Sequence, residues 1–334
     1  MQLLLYGGYV VGGTLLCWFG SGMLERSSRR LAVYYRLPAV VQGAVITAIG
    51  SSFPELSSTV LATLLHGTFD LGVASVVGSA LFNILVIPGV SGLVGGRIES
   101  GRLLVFKDVQ FYVMSVTVLL LTFVLAGLYN PVSGPGRVGT VTRPLAVLPL
   151  LFYGLYCYLQ FMAARDHTAE APPDALAPSL EWLRLGGSLL LILTGTEGLV
   201  AAAVGFGDWF GTPPFLWGLT VVAAGTSLPD MFVSVRAAHG GRGTVSLANV
   251  LGSNIFDLLA AVPLAIVIAG ASTVNVAAAV PMMGVLTASA VALFVILRVN
   301  ASLGRADAVV LLGIYGLFLV LFGLETAGIV NLMT

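Results

Sequence analysis

Three observations predict an all-α membrane protein whose ten transmembrane helices form two inverted-topology five-helix repeats. Only 9% of the 334 residues are charged and 57% are hydrophobic. The apolar residues fall into runs of bilayer length, and unusual residues recur in the same order in both halves. No water-soluble domain of this size could solvate such a composition, so the lipid bilayer is the partner it requires. A net charge of zero gives no electrostatic reason to expect a nucleic-acid partner.

A hydrocarbon core takes roughly 20 apolar residues per helix. The first run, 2–24, lacks the basic start of a signal peptide and is long enough to span. The second, 38–65, opens at Pro38 and is interrupted by Gly50 and Pro54; the third, 71–96, carries Gly78 and Asn83. The fourth, 108–127, starts after Lys107, and the fifth, 144–164, after Arg143. Residues 165–184, rich in proline, small residues and mixed charges, suit a solvated cytoplasmic linker between a first repeat at 1–164 and a second at 185–334. The second set of runs is 184–204, 213–237, 243–270, 275–297 and 306–326.

Thirteen of the fifteen basic residues fall on one side of this plan, including Arg26, Arg29, Arg30, Arg36, Arg102, Arg165 and Arg242; only Arg137 and Arg143 fall on the other. The positive-inside rule then places both termini outside the cytoplasm. The absence of a large domain between the halves suits a prokaryotic plasma membrane. Cys17 and Cys157 show neither metal-site nor C-x-x-C spacing and read as buried free thiols.

The repetition is specific. At a spacing of 175 residues, Pro38, Gly43, Ala48, Gly50, Ser52, Pro54 and Glu55 pair with Pro213, Gly218, Ala223, Gly225, Ser227, Pro229 and Asp230. At a spacing of 174, Gly78, Ser79, Phe82 and Asn83 pair with Gly252, Ser253, Phe256 and Asp257. Because each half has an odd number of helices, the second enters the membrane from the opposite face, the plan of many secondary transporters.

Glu55, Glu197, Asp230 and Asp257 lie deep in apolar spans, with no Lys or Arg at comparable depth. A charge at the bilayer centre costs about 3 kcal/mol on insertion scales, so these groups need protons, cations or water. Mid-span glycine and proline free backbone carbonyls that can face a cavity. Hydroxyls, carbonyls, an amide and carboxylates, with no Cys or His, suit Ca²⁺, Na⁺, Mg²⁺ or K⁺ rather than Zn²⁺ or copper.

At these residues the chain resembles the cation/calcium exchanger superfamily, whose signature repeats carry G-[ST]-S-x-P-[ED] and G-S-N-x-F-[ND]. The match covers about 38–90 and 213–265, as Gly50-Ser-Ser-Phe-Pro-Glu55, Gly78-Ser-Ala-Leu-Phe-Asn83, Gly225-Thr-Ser-Leu-Pro-Asp230 and Gly252-Ser-Asn-Ile-Phe-Asp257. The resemblance implies antiport of Ca²⁺ against Na⁺ or, in other branches, against K⁺ plus Na⁺ or against H⁺, with no resident cofactor. It implies Glu55 and Asp230 as paired Ca²⁺ ligands. Ser51, Ser52, Ser79, Asn83, Thr226, Ser227, Ser253 and Asp257 would complete the Ca²⁺ and Na⁺ sites, with carbonyls from Ala48 and Ala223. Three residues depart from the pattern: Ala80 stands where the first repeat usually has Asn, Ser51 replaces the commoner Thr, and Asp230 replaces Glu, as in the K⁺-dependent branch.

Plainer readings stand beside these. Gly78 and Gly252 read as packing contacts. Glu197, whose first-half partner is Gly22, is as readily a protonated packing residue as a ligand. His66, His167 and His239 read as solvated, and Arg26, Arg29 and Arg30 as topology determinants at the headgroups. A channel could use the same acids, although inverted pseudo-symmetry disfavours it. An intramembrane aspartyl hydrolase would need two Asp side chains within hydrogen-bond reach. Helices 1 and 6, poor in polar residues, are the expected gating pair.

Overall fold

A computed structural model describes residues 2–35, 48–99, 104–133, 137–163, 178–241, 243–300, 302–327 and 329–330. Pro38, Gly43, His167 and the basic residues Arg36, Arg102, Arg165 and Arg242 lie outside the described residues, as does most of the expected linker. The ten helices are α1 (Gln2–Tyr34), α2 (Ala48–Ser51 and Phe53–Leu64), α3 (Phe69–Val94), α4 (Lys107–Tyr129) and α5 (Arg143–Ala163), then α6 (Pro178–Phe210), α7 (Pro214–His239), α8 (Ser246–Ala269), α9 (Val276–Asn300) and α10 (Arg305–Thr326). Nine are long and apolar enough to cross a bilayer among the described residues. The exception is α2, whose expected first ten residues fall outside them. Helix α6 starts at Pro178, inside the stretch expected to be linker.

Burial sorts the helices. In α3, 94% of the most apolar stretch is buried, against 17% in α1, α5 and α10. A helix that is apolar all round belongs inside the bundle, so α3 and its repeat mate α8 form the centre while α1, α5 and α10 face lipid.

Two short ribbons reveal the inversion. Strand β1 (Ile98–Glu99), between α3 and α4, pairs antiparallel with β4 (Ser302–Leu303), between α9 and α10. Strand β2 (Val138–Val141), between α4 and α5, pairs with β3 (Ser272–Asn275), between α8 and α9. Exchanging the halves turns one ribbon into the other. The connections they occupy differ by one span, so the ribbons cap opposite faces.

The helices are irregular where the repeat is most specific. Helix α2 is interrupted at Ser52, and Pro54 lies in the first turn of its second segment. Helices α3 and α8 each contain a wide π turn, at Phe82–Val86 and Asp257–Ala261. Pro88 and Pro263 come just after these turns. A proline lacks the N–H that would reach back four residues and its ring crowds that carbonyl, so the preceding turn widens. Helix α7 remains helical through Pro229 and carries its π turn earlier, at Gly218–Val222. The irregularity thus falls at Ser52 in α2, just before Pro54, and a turn or more ahead of Pro229 in α7.

Tyrosines from the lipid-facing helices brace both bulges. Tyr153 of α5 sits edge-on to Phe256 at 5.5 Å, and Tyr315 of α10 edge-on to Phe82 at 5.9 Å. Each half thus supports the broken helix of the other. Helices α1 and α6 pack through small residues: a Cβ on Gly13 would lie 2.6 Å from the Gly195 carbonyl, and one on Gly195 2.7 Å from the Gly13 carbonyl. Lipid offers no hydrophobic drive between helices, so close backbone approach supplies the contact.

Candidate cation site

The interruption in α2 brings Ser52 and Glu55 to the bundle centre, and α7 brings Thr226, Ser227 and Asp230 to the same level. Helix α3 contributes Ser79 and Asn83, and α8 contributes Ser253, Asn254 and Asp257. Glu55 is 1% exposed, Asp230 6%, and Asn83 and Asp257 fully buried.

Two hydroxyl contacts join the halves. Ser52 Oγ lies 2.6 Å from Ser253 Oγ, and Ser79 Oγ 2.6 Å from Ser227 Oγ. Ser52 corresponds to Ser227 and Ser253 to Ser79, so one contact occurs twice. Each leads to a carboxylate: Ser79 donates to Glu55 Oε1 at 3.0 Å and Ser253 to Asp230 Oδ2 at 3.4 Å. In each serine pair either hydroxyl can donate, and Ser52 also lies within reach of the Asp257 carboxylate. Two repeat-related chains of contacts result, each joining a serine of one half to a serine and a carboxylate of the other.

The amides behave differently. Asn83 Nδ2 donates to Asn254 Oδ1 at 2.9 Å, and Asn254 Nδ2 donates to the Ala80 carbonyl at 3.1 Å. Ala80 is the repeat mate of Asn254 and has no amide, so Asp257 has no amide partner like the one Asn83 finds in Asn254. Both Asp257 carboxylate oxygens, Glu55 Oε2 and Asn83 Oδ1 are buried without a hydrogen-bond partner. Among the described residues no Lys, Arg or His pairs with Glu55, Asp230 or Asp257.

The remaining expected ligands lie on the same two helices, α2 and α7. Thr226 donates to the Ala223 carbonyl at 3.2 Å and lies beside Glu55, Ser51 is half-buried at the interruption, and the Ala48 backbone opens the short helical turn before it. No three His, Cys, Asp or Glu side chains among the described residues converge tightly enough to hold a metal ion by themselves. Any cation held here would have to draw on hydroxyls and carbonyls as well as carboxylates, which matches hard oxygen-ligand chemistry.

Other side chains depart from their expected surroundings. His66 is not a freely solvated residue, because its Nε2 lies 2.9 Å from Glu197 Oε1, tying the end of α2 to α6. Glu197 therefore stands apart from the central acids. Arg30 pairs with Glu181 at 2.9 Å, and Arg184 meets the same oxygen at 2.7 Å, so part of the arginine cluster clamps α1 to α6. Gly78 is a packing residue whose Cβ would strike the Leu219 carbonyl, whereas at Gly252 the nearest atom, the Tyr156 hydroxyl, is 3.8 Å away. Cys17 and Cys157 are free, the first buried and the second half-buried.

With this geometry in hand, likeness to known proteins becomes decisive. The family model described as sodium/calcium exchanger protein matches residues 5–162 and 180–324. The chain belongs to the sodium/calcium exchanger family. Members of this family are membrane cation antiporters rather than enzymes. Among its relatives, the inner membrane protein YrbG of Escherichia coli is 30% identical over 267 residues, covering 77% of this chain and 78% of that protein. The sodium/calcium exchanger MaX1 of Methanosarcina acetivorans is 25% identical over 267 residues, covering 72% and 76%. The solved sodium/calcium exchanger of Methanococcus jannaschii shares the fold, with a TM-score of 0.61 at 24% identity over 94% of this chain and 97% of that one.

Sequence reasoning singled out the carboxylates and serines and took Ala80 as a departure from the pattern, but it gave no role to Asn254, which links Asn83 to the Ala80 carbonyl.

Proposed function

We propose that this chain is a secondary active antiporter that exchanges Ca²⁺ for Na⁺ by alternating access, with Glu55 and Asp230 as the paired Ca²⁺ ligands. The observation that carries this reading is the pair of repeat-related chains of contacts, Ser227 to Ser79 to Glu55 and Ser52 to Ser253 to Asp230. They surround carboxylates that lack a basic partner, and they come from both halves.

The chemistry stems from charge. Ca²⁺ carries enough charge to offset Glu55 and Asp230 together, while several Na⁺ ions occupy the same oxygens and those of Asn83 and Asp257. The two loads exclude each other. An empty site would expose uncompensated carboxylates to a closed, dry intermediate at a cost of several kcal/mol per charge. Loaded forms therefore interconvert and the empty form does not, which yields exchange rather than leak. The α1–α6 pair, clamped by Glu181 and packed through Gly13 and Gly195, is the element that slides past the fixed site. Both termini face away from the cytoplasm on this reading, in a prokaryotic plasma membrane.

The test is radioactive Ca²⁺ uptake into proteoliposomes preloaded with Na⁺, with K⁺, with both, or with acidic buffer. Uptake should require internal Na⁺ and vanish in Glu55→Gln and in Asp230→Asn. An additional need for K⁺, or uptake driven by a proton gradient, would keep the site and change the counter-ion. Full activity in both variants would refute the site.

A further inference from the structure

The contact between His66 and Glu197 lies outside the central site. It joins α2, which carries Glu55, to α6, one half of the pair read above as the sliding element. His66 Nε2 stands 2.9 Å from Glu197 Oε1, and the other carboxylate oxygen is buried without a hydrogen-bond partner. The turn after α2 sets the imidazole in place: Gly67 adopts a φ of +64°, and the Thr68 N–H and hydroxyl both donate to the Ala62 carbonyl, at 2.9 and 3.2 Å. Just beyond this turn, Asp70 accepts from the Asn275 N–H of β3 at 3.0 Å, so the contact lies towards the face capped by the β2–β3 ribbon.

Symmetry makes the contact informative. At the repeat spacings, Glu197 corresponds to Gly22 of α1, and His66 to Gly240 or Gly241 at the end of α7. Helix α1 packs against α7 as α6 packs against α2, but glycines offer no side chains to join them. Because the halves are inverted copies, exchanging their roles interconverts the two access states. A tie present in one half alone therefore favours one state over the other.

We propose that His66 and Glu197 are positioning residues of the exchange cycle, a proton-strengthened latch that holds α6 against α2 in the state seen in this structure and breaks each time α1 and α6 slide. This rests on the antiport reading above. An imidazole gains its charge between about pH 8 and pH 5. Neutral His66 gives Glu197 an ordinary hydrogen bond, whereas the imidazolium adds a charge-assisted ion pair, so acid tightens the latch. Towards this face, the other ionisable groups on the helices packed against α2 are Asp70 of α3, Asp208 of α6, and Tyr6, Tyr9 and Cys17 of α1; Asp230 of α7 and Asp257 of α8 belong to the central site. Among the described residues only Glu197 pairs with His66.

The experiment is the maximal rate of Ca²⁺ uptake into Na⁺-loaded proteoliposomes, with inside and outside held at the same pH across the imidazole range, for wild type, His66→Ala, Glu197→Gln and the double variant. The wild-type rate should fall as the pH is lowered. At the acidic end each single variant should run about two- to five-fold faster than wild type, the range that a partly exposed ion pair allows. The double variant should add nothing further. Equilibrium Ca²⁺ affinity of the purified proteins should match wild type, which also shows that they are folded; proton competition at the central carboxylates would alter that affinity alike in all four. Variants that slow with acid as wild type does, that run no faster at the acidic end, or that change affinity instead of rate would overturn the proposal. Wild type without Na⁺-driven uptake would sink the exchange reading. A double-mutant cycle in melting temperature then decides the latch by itself: coupling between His66 and Glu197 that grows as the pH falls supports it, and its absence overturns it.

Discussion

Ser79→Ala should weaken Ca²⁺ handling more than Ser253→Ala, although the two serines are repeat mates. Each substitution removes one hydroxyl that makes two contacts. The neutral contact is the same on both sides, 2.6 Å to Ser227 or to Ser52. Interhelical hydrogen bonds in membranes average about 0.6 kcal/mol, so this part of the loss cancels. The charged contact differs: 3.0 Å from Ser79 to Glu55, against 3.4 Å from Ser253 to Asp230. A hydrogen bond to a charged group at good distance contributes about 1.5–3 kcal/mol, and one at the limit of the range less than about 1 kcal/mol. The difference of roughly 1–2 kcal/mol corresponds to about 5- to 30-fold in apparent Ca²⁺ affinity. The assay is the Ca²⁺ KM of uptake in proteoliposomes, with thermal unfolding in detergent as a control that should shift equally for both variants. Equal losses, or a larger loss for Ser253→Ala, would refute the reasoning from these distances.

Glycine substitutions give a similar contrast. Gly78→Ala should destabilise the bundle by about 1–3 kcal/mol, because its Cβ meets backbone that cannot yield, whereas Gly252→Ala has room and should melt like wild type. Glu197→Gln should cost less than about 1 kcal/mol and leave Ca²⁺ affinity intact, since its bond to His66 is partly exposed and away from the central carboxylates; lost Ca²⁺ binding would return Glu197 to the site. Glu181→Gln should lower the melting temperature measurably more than Glu25→Gln, because Glu181 is buried against two arginines and Glu25 meets only the exposed Arg29.

Much of this molecule is legible from residue order. Apolar run lengths predict ten helices, and the repeated Gly-Ser-Pro-acid segments predict inverted halves and name the carboxylates, because burying an uncompensated charge in lipid is so unfavourable that only function retains it. Pro88 and Pro263 even mark where α3 and α8 widen. Three-dimensional packing alone decides how those groups meet. Sequence spacing pairs Ser79 with Ser253 as equivalents, but only the fold brings Ser79 to Ser227 and Asn254 to Asn83 and the Ala80 carbonyl. His66 finds Glu197 and Arg30 finds Glu181 more than a hundred residues away in the chain. The two ribbons likewise join connections whose residues carry no strand periodicity long enough to read. The physical reason is range. Transfer to lipid and helix formation act within one span, so sequence reports them span by span, whereas hydrogen bonds act over about 3 Å between spans and exist only once the helices have packed.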